Sequence, residues 1–254
     1  MDRVVLIASG PEYQEAAARA AATYVRQTSN PEGVSVLVPE SESLISQLKE
    51  FARKYGFQIA RFPFRQVSQH KFTSQLKCQA FWSAVSQLAS DELLLIADAD
   101  TVCLKPLVWP PEIRSEIMGG RIGLAADIED HHFQQPSDPW YLTPEERSAY
   151  VNSGVILTAR SALPMFEKFR EMSAQPRFLH GPFNDQKVIN FALGKYFRGR
   201  LLLLDQAYNG IHRPPETTII GHCAGGAGCL GSERDWRKAM HQEMCAGVLK
   251  RTGE

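Results

Sequence analysis

Leu93-Leu94-Leu95-Ile96-Ala97-Asp98-Ala99-Asp100-Thr101 is an apolar run that ends abruptly in two carboxylates one residue apart. A run of this length with polar flanks reads as a buried strand. Residues i and i+2 of a strand point the same way, so a chain that stays extended turns Asp98 and Asp100 toward one site. Paired carboxylates raise each other's pKa unless a cation lies between them. Hard cations such as Mg2+ and Mn2+ take oxygen ligands, combining one or two carboxylates with substrate phosphates. Asp-x-Asp at the carboxyl end of a buried strand is therefore a candidate metal–diphosphate site. Read alone, the triplet fits a strand followed by an acidic turn equally well.

Working toward the N-terminus, the chain alternates. Val4 to Ala8 reads as a strand broken by Ser9-Gly10-Pro11, and an Ala-rich helix follows from about Glu12 to Gln27. Val34 to Val38 is a second strand, ended by Pro39. A helix is predicted from Ser41 to Tyr55, with Ser41 or Ser43 as N-cap and Gly56 as its end. Phe57 to Phe62 is a weaker strand. A helix from about Thr73 to Leu88 carries Leu76, Ala80, Ala84 and Leu88 on one stripe and leads into the run before Asp98. Alternating strands and helices predict an α/β fold with a mostly parallel central sheet flanked by helices. In open sheets of this kind ligands bind beyond the carboxyl ends of the strands, here Ala8, Val38 and Ala97.

Toward the C-terminus, Lys105-Pro106 and Trp109-Pro110-Pro111 form a loop, followed by a short helix and a strand at Arg121 to Ala126. Asp127 to Tyr150 is a long polar connection, with a short helix expected at Pro144 to Tyr150. Connections this long are often functional. Strands are expected within Val151 to Thr158, at Arg200 to Leu204 and at Thr217 to Gly221. Helices are expected at Ser161 to Met172, Asn184 to Leu193 and Ser232 to Lys250. Nothing repeats and nothing is of low complexity, so the 254 residues read as a single domain.

Composition narrows the function classes. Apolar residues make up 44% of the chain and charged residues 22%, as in ordinary globular domains. The formal net charge is zero, which gives no footing for a nucleic-acid partner. The five cysteines, at 78, 103, 223, 229 and 245, have no metal-ligand spacing and fit isolated buried thiols in a reducing compartment. Val4 to Ala8 is too short for a signal peptide, and no run reaches transmembrane length. Glu233, Asp235 and Glu243 interrupt any basic face on the last helix, so membrane association is not indicated. A soluble, cytoplasmic protein is expected.

Three further stretches carry chemistry. Asn152-Ser153-Gly154 interrupts the start of an apolar strand. Gly154 permits close backbone approach and Asn152 offers donors and acceptors to hydroxyls, although a simple bulge would also use these residues. Asn184-Asp185-Gln186 opens a helix, where an acid is favourable whatever its role. His222 directly follows an apolar strand and precedes a glycine-rich stretch that reaches Gly228. Imidazole can join carboxylates around Mn2+, and glycines let backbone amides approach phosphate. A lone histidine is more often structural.

Asp98-Ala99-Asp100, Asn152-Ser153-Gly154-Val155, Asp185-Gln186 and His222-x-x-Gly225, in this order and at these separations, resemble glycosyltransferase family 8. That group comprises GT-A-fold, metal-dependent, retaining glycosyltransferases, including bacterial galactosyl- and glucosyltransferases and glycogenin. The resemblance spans Ile7 to His222. Each motif is short, and the ordered set is far more specific than any one of them.

The resemblance implies a hexosyltransferase acting on a nucleotide-sugar donor, a UDP-hexose in the family's usual pattern. Asp98, Asp100 and His222 would hold Mn2+ (or Mg2+) against the donor diphosphate, with Ala99 and Gly225 beside it. Ala8 and Ser9, with Gly10 and nearby Tyr13, would border the base. Lys77 would contact donor phosphate or sugar. Asn152, Ser153 and Asp185 would line the donor sugar, and Asp185 and Gln186 are the catalytic candidates near the anomeric carbon. The sequence departs from the family pattern at Gly228, which stands where a lysine often helps neutralise the diphosphate. Lys77, Arg234 or Lys238 are candidates to compensate. The acceptor is not specified by the residues. Asp127 to Tyr150, with His131, His132, Phe133, Trp140 and Tyr141, is the expected acceptor-side loop.

Two rival readings remain. Asp-x-Asp-Thr-Val after an apolar strand superficially matches a haloacid-dehalogenase-like phosphohydrolase, but nearly a hundred residues precede Asp98 and no later acidic pair stands at a strand end. A GT-A-like domain that binds a nucleotide-sugar or a partner without turnover is the other, prompted by Gly228.

Overall fold

Burial on both faces of the inner strands and small residues on the first helix shape the packing. The computed structural model describes residues 2–64, 73–127, 141–146, 150–175, 184–211, 216–223 and 232–251. The elements in chain order begin β1 (Asp2–Ile7), α1 (Pro11–Gln27), β2 (Val34–Pro39), α2 (Ser46–Tyr55), β3 (Gln58–Phe62) and α3 (Thr73–Ser86). Next come β4 (Leu93–Asp98), β5 (Thr101–Cys103), α4 (Pro111–Met118), β6 (Ile122–Ala126) and β7 (Val151–Ala159). The chain continues with α5 (Leu163–Ser173), α6 (Asn184–Lys195), β8 (Leu201–Leu204), β9 (Gly210–Ile211), β10 (Ile220–His222) and α7 (Ser232–Arg251). Seven of the strands form a mostly parallel central sheet flanked by helices.

The chain divides into two compact units. The first comprises Met1–Pro63, Leu95–Pro110 and Asp205–Glu254, and the second Phe64–Leu94 and Pro111–Leu204. In the first, the sheet order is β3-β2-β1-β4. β1 and β2 run parallel with Ile7 opposite Leu37, and β2 and β3 run parallel with Pro39 opposite Phe62. All six residues of β2 are buried, as expected of a strand covered on both faces. Ala17, Ala18, Ala20, Ala21 and Ala22 of α1 are buried. Pro11 starts that helix, and Gly10 turns the chain into it with a φ of 83°, a backbone region that glycine enters without penalty.

A small three-stranded sheet completes this unit, in the order β5-β10-β9. β10 lies antiparallel to β5, His222 opposite Thr101, and parallel to β9, His222 opposite Ile211. Neither β5 nor β9 is apparent from sequence. At three and two residues respectively, their extended form is set by their partners rather than by propensity.

In the second unit, β7, β6 and β8 are adjacent in that order. β6 pairs antiparallel with β7 and parallel with β8. Phe81 of α3 meets Phe166 of α5 edge-on, with ring centroids 6.4 Å apart, and Phe169 packs on Phe166 at 5.4 Å. A Cβ at Gly194 of α6 would lie 2.5 Å from the Glu146 carbonyl oxygen and 2.8 Å from Leu142 Cδ1. Gly194→Ala should therefore destabilise by about 1–2 kcal/mol, overpacking outweighing the helix-propensity gain of about 1 kcal/mol. Urea denaturation checks this, and a stabilised variant would show that Leu142 and Glu146 yield without cost.

Several boundaries differ from the sequence reading. The helix expected from Ser41 begins at Ser46, with no side-chain cap. The intervening residues are used in tertiary bonds. The Ser43 carbonyl accepts from Gln14 Nε2 at 3.0 Å, Ile45 N donates to Gln14 Oε1 at 3.1 Å, and the Glu42 carboxylate is bonded to the start of α1. The helix expected from Ser161 starts at Leu163, after a short 3-10 turn over Arg160–Ala162. The last strand is shifted and contains His222 rather than preceding it. Pro144 to Glu146 form a turn rather than the start of a helix. Most of the long connection lies outside the described residues, including His131, His132, Phe133 and Trp140.

Candidate functional site

The first unit assembles the acidic pair differently from the way strand alternation suggests. β4 ends at Asp98, and Ala99-Asp100 is a turn. Thr101 Oγ1 donates to the Asp98 carbonyl at 2.8 Å and accepts from the hydroxyl of buried Tyr24 at 3.1 Å. Cys223 N donates to the Asp100 carbonyl at 3.0 Å. A hydrogen-bonded turn, not persistence of the strand, thus presents both carboxylates. The β5–β10 pairing then brings His222 alongside, its Nε2 3.4 Å from Asp100 Oδ1. Ligand atoms of Asp98, Asp100 and His222 all lie within 4.8 Å of one another. Two carboxylates and one imidazole form an oxygen-rich set that suits a divalent ion such as Mn2+ or Mg2+ better than a thiolate-seeking one.

His222 is 4% exposed, and its Nδ1 lies 2.8 Å from Oδ1 of Asn209, itself 3% exposed. Asn209 escaped the sequence reading because it sits in a short turn without periodicity. Next to His222, burial and the Asp100 charge push the Cys223 thiol up to about 12, so it stays protonated. Burial likewise raises Cys78, Cys103 and Cys245 and lowers His241. These four cysteines are free and buried, as isolated structural thiols are expected to be. Cys229 lies outside the described residues.

A cavity of about 200 Å³ in the same unit is lined by Tyr13 and Arg19 of α1, by Asp100, and by Arg237, Lys238 and His241 of α7. Tyr13 and Asp100 thus line one space. Lys238 reaches Glu15 of α1 at 3.7 Å. The Ser9-Gly10 turn is clamped by Glu42, whose carboxylate accepts from Ser9 Oγ and from Gly10 N, the latter at 2.6 Å. Ala8 is buried and donates its backbone N–H to the Leu37 carbonyl at 3.0 Å. Ala99 is buried as well. Gly225, Gly228 and the Arg234 side chain lie outside the described residues.

The second unit gathers the other candidates. Lys77 Nζ lies 3.1 Å from Asp185 Oδ2, and Ser153 Oγ donates to the same oxygen at 2.7 Å. Burial alone would raise the Asp185 pKa, but the Lys77 charge and the hydrogen bonds from Ser153 and Lys77 outweigh it, so the carboxyl stays below its ordinary value. Gln186 Oε1 accepts from Ser153 N at 3.4 Å, and its Nε2 donates to Asp127 Oδ2 at 2.5 Å. Asn152 is buried, with Oδ1 accepting from Gly154 N at 2.8 Å. Asn190, one turn beyond Gln186, accepts from Val151 N at 2.9 Å and donates to the Val151 carbonyl at 2.8 Å, holding the start of β7 on α6. Asp127 and Asn190 were not singled out from sequence. A single acid at a strand end, or an amide on a helix, carries no local signal.

No family model matches the sequence, and no curated protein does. Solved structures match in fold. The galactosyltransferase LgtC, in complex with donor and acceptor sugar analogs, aligns over 97% of this chain and 96% of its own, with a TM-score of 0.61 and 16% identity. The bifunctional glycosyltransferase WbbM aligns over 98% of this chain and 51% of its own, with a TM-score of 0.63 and 14% identity. The glycosyltransferase GlyE of Streptococcus pneumoniae aligns over 99% and 64%, with a TM-score of 0.57 and 13% identity. The fold is GT-A-like, as the resemblance implied.

Proposed function

We propose that this chain is a metal-dependent hexosyltransferase that moves a sugar from a nucleotide-sugar, a UDP-hexose, to a hydroxyl acceptor with retention of configuration. The observation that carries the proposal is the cavity lined by both Tyr13 and Asp100, in a GT-A-like fold whose Asp98, Asp100 and His222 cluster as a ligand set. Tyr13 offers a ring to the base, bordered by Ala8 and Ser9. Asp98, Asp100 and His222 hold the cation, Mn2+ or Mg2+. When bound, it supplies the charge that stabilises the leaving diphosphate.

The ionised Asp185 carboxylate accepts from donor-sugar hydroxyls, with Asn152 and Ser153 beside it. Gln186 lies by the anomeric carbon, and attack follows the front face. The whole chain acts as one catalytic domain, and the connection from Asp127 to Tyr150 selects the acceptor. No helix among the described residues is long and apolar enough to cross a membrane; a cytoplasmic location is part of the proposal.

The test incubates the protein with Mn2+ and a panel of nucleotide-sugars and measures free nucleoside diphosphate, with EDTA controls. Release from one donor, abolished by EDTA, is the expected result and names the sugar. Thermal stabilisation by UDP and Mn2+ without release from any donor would favour a strict acceptor requirement or the binding-only alternative. Absence of both release and stabilisation would overturn the proposal.

A further inference from the structure

We infer that Asn209 is a positioning residue for the cation ligands, fixing the His222 tautomer through Nδ1; this rests on the reading of Asp98, Asp100 and His222 as a cation site. A neutral imidazole carries one N–H donor and one lone-pair nitrogen. The Asn209 carbonyl oxygen can only accept, and it lies 2.8 Å from His222 Nδ1 with both residues buried. The proton therefore sits on Nδ1, and the Nε2 lone pair is left facing Asp100 Oδ1 at 3.4 Å. Two acceptors face each other there, an arrangement that a positive charge between them reconciles. Outer partners of this kind orient ligating histidines and set their basicity. An amide in that place, rather than a carboxylate, leaves the imidazole a comparatively weak donor.

The fold spends several bonds on delivering Asn209. Asp205 Oδ1 accepts from Ala207 N at 2.7 Å, capping the turn Gln206–Asn209. Ile219 N donates to the Ala207 carbonyl at 2.7 Å, and Tyr208 stacks on Trp109 with centroids 4.7 Å apart. β9 then pairs with β10 directly after Asn209, Gly210 opposite Gly221 and Ile211 opposite His222. Gly210, the residue after Asn209, is thus held against the strand that carries His222.

The test measures Mn2+ affinity of the full chain by calorimetric titration for the wild type, Asn209→Leu and Asn209→Asp, with circular dichroism and metal-free Tm as fold controls. Asn209→Leu should bind Mn2+ about 10–100-fold more weakly. Asn209→Asp keeps the acceptor and should match or exceed wild-type affinity, a rescue that mere packing does not explain. Wild-type affinity in folded Asn209→Leu overturns the inference. If Asn209→Leu fails to fold, a tenfold loss in folded Asn209→Asp overturns it instead. A wild type that binds no Mn2+, Mg2+ or other divalent ion overturns the cation site itself, a separate and recognisable failure.

Discussion

Asp98→Asn should lower metal-dependent donor turnover by about 10²–10³-fold, the usual cost of removing one group that stabilises developing charge. The fold should survive, because Asp98 ends β4 and is only half-buried, while the bond from Thr101 is to its main-chain carbonyl and not to its carboxylate. Without a cation the two carboxylates repel, so loss of one charge should leave metal-free stability unchanged or slightly raised. With Mn2+ the expectation reverses. Wild-type Tm should rise with Mn2+ concentration, since an ion that binds only the folded state stabilises it by mass action, and the variant's Tm should respond weakly. Turnover and the Mn2+-dependent Tm shift must fall together. A variant with normal turnover, or one that loses turnover but keeps the full Tm response, would remove Asp98 from the cation site.

What could be read in the sequence follows from the range of the interactions involved. β2 and β4 are apolar runs that need burial on both faces, and α1 declares itself by its alanines, so the alternating α/β order was legible. Asn152, Ser153, Asp185 and Gln186 stand out in the sequence because they fall at element starts where polar residues are conspicuous. The causes of the candidate residues' placement were not legible. Asp98 and Asp100 meet through a turn bonded by Tyr24, Thr101 and Cys223, residues spread across the whole chain. β5 and β9 exist through their pairing with β10 alone. Ser41 and Ser43 look like helix caps locally, and the competing bonds from Gln14 come from a segment nearly thirty residues away. Long-range hydrogen bonds of this kind leave no periodicity to find.

Lys77→Met should be the most destabilising of the substitutions at the candidate residues. It leaves the buried Asp185 carboxylate with the Ser153 hydroxyl but without its cation. Breaking a buried pair from one side costs about 3–5 kcal/mol, and the partial exposure of Lys77, at 23%, places this case near 3 kcal/mol. For a chain of this size that is roughly a 6–12 °C fall in Tm. The pH dependence gives the mechanism away. In the wild type Asp185 titrates below its unfolded value, so its contribution is fully present above about pH 4 and is lost as pH falls through the folded pKa. In the variant burial prevails and the folded pKa rises above the unfolded one, so ionisation opposes folding from about pH 4 upward. The stability gap between the two proteins should therefore be widest near neutrality, narrow as pH falls toward 4 and close only below it, as pH passes through the folded pKa of the wild type. Urea denaturation of both proteins at several pH values checks it. A gap that stays constant with pH would mean that the lysine stem, rather than its charge on Asp185, supplies the stability.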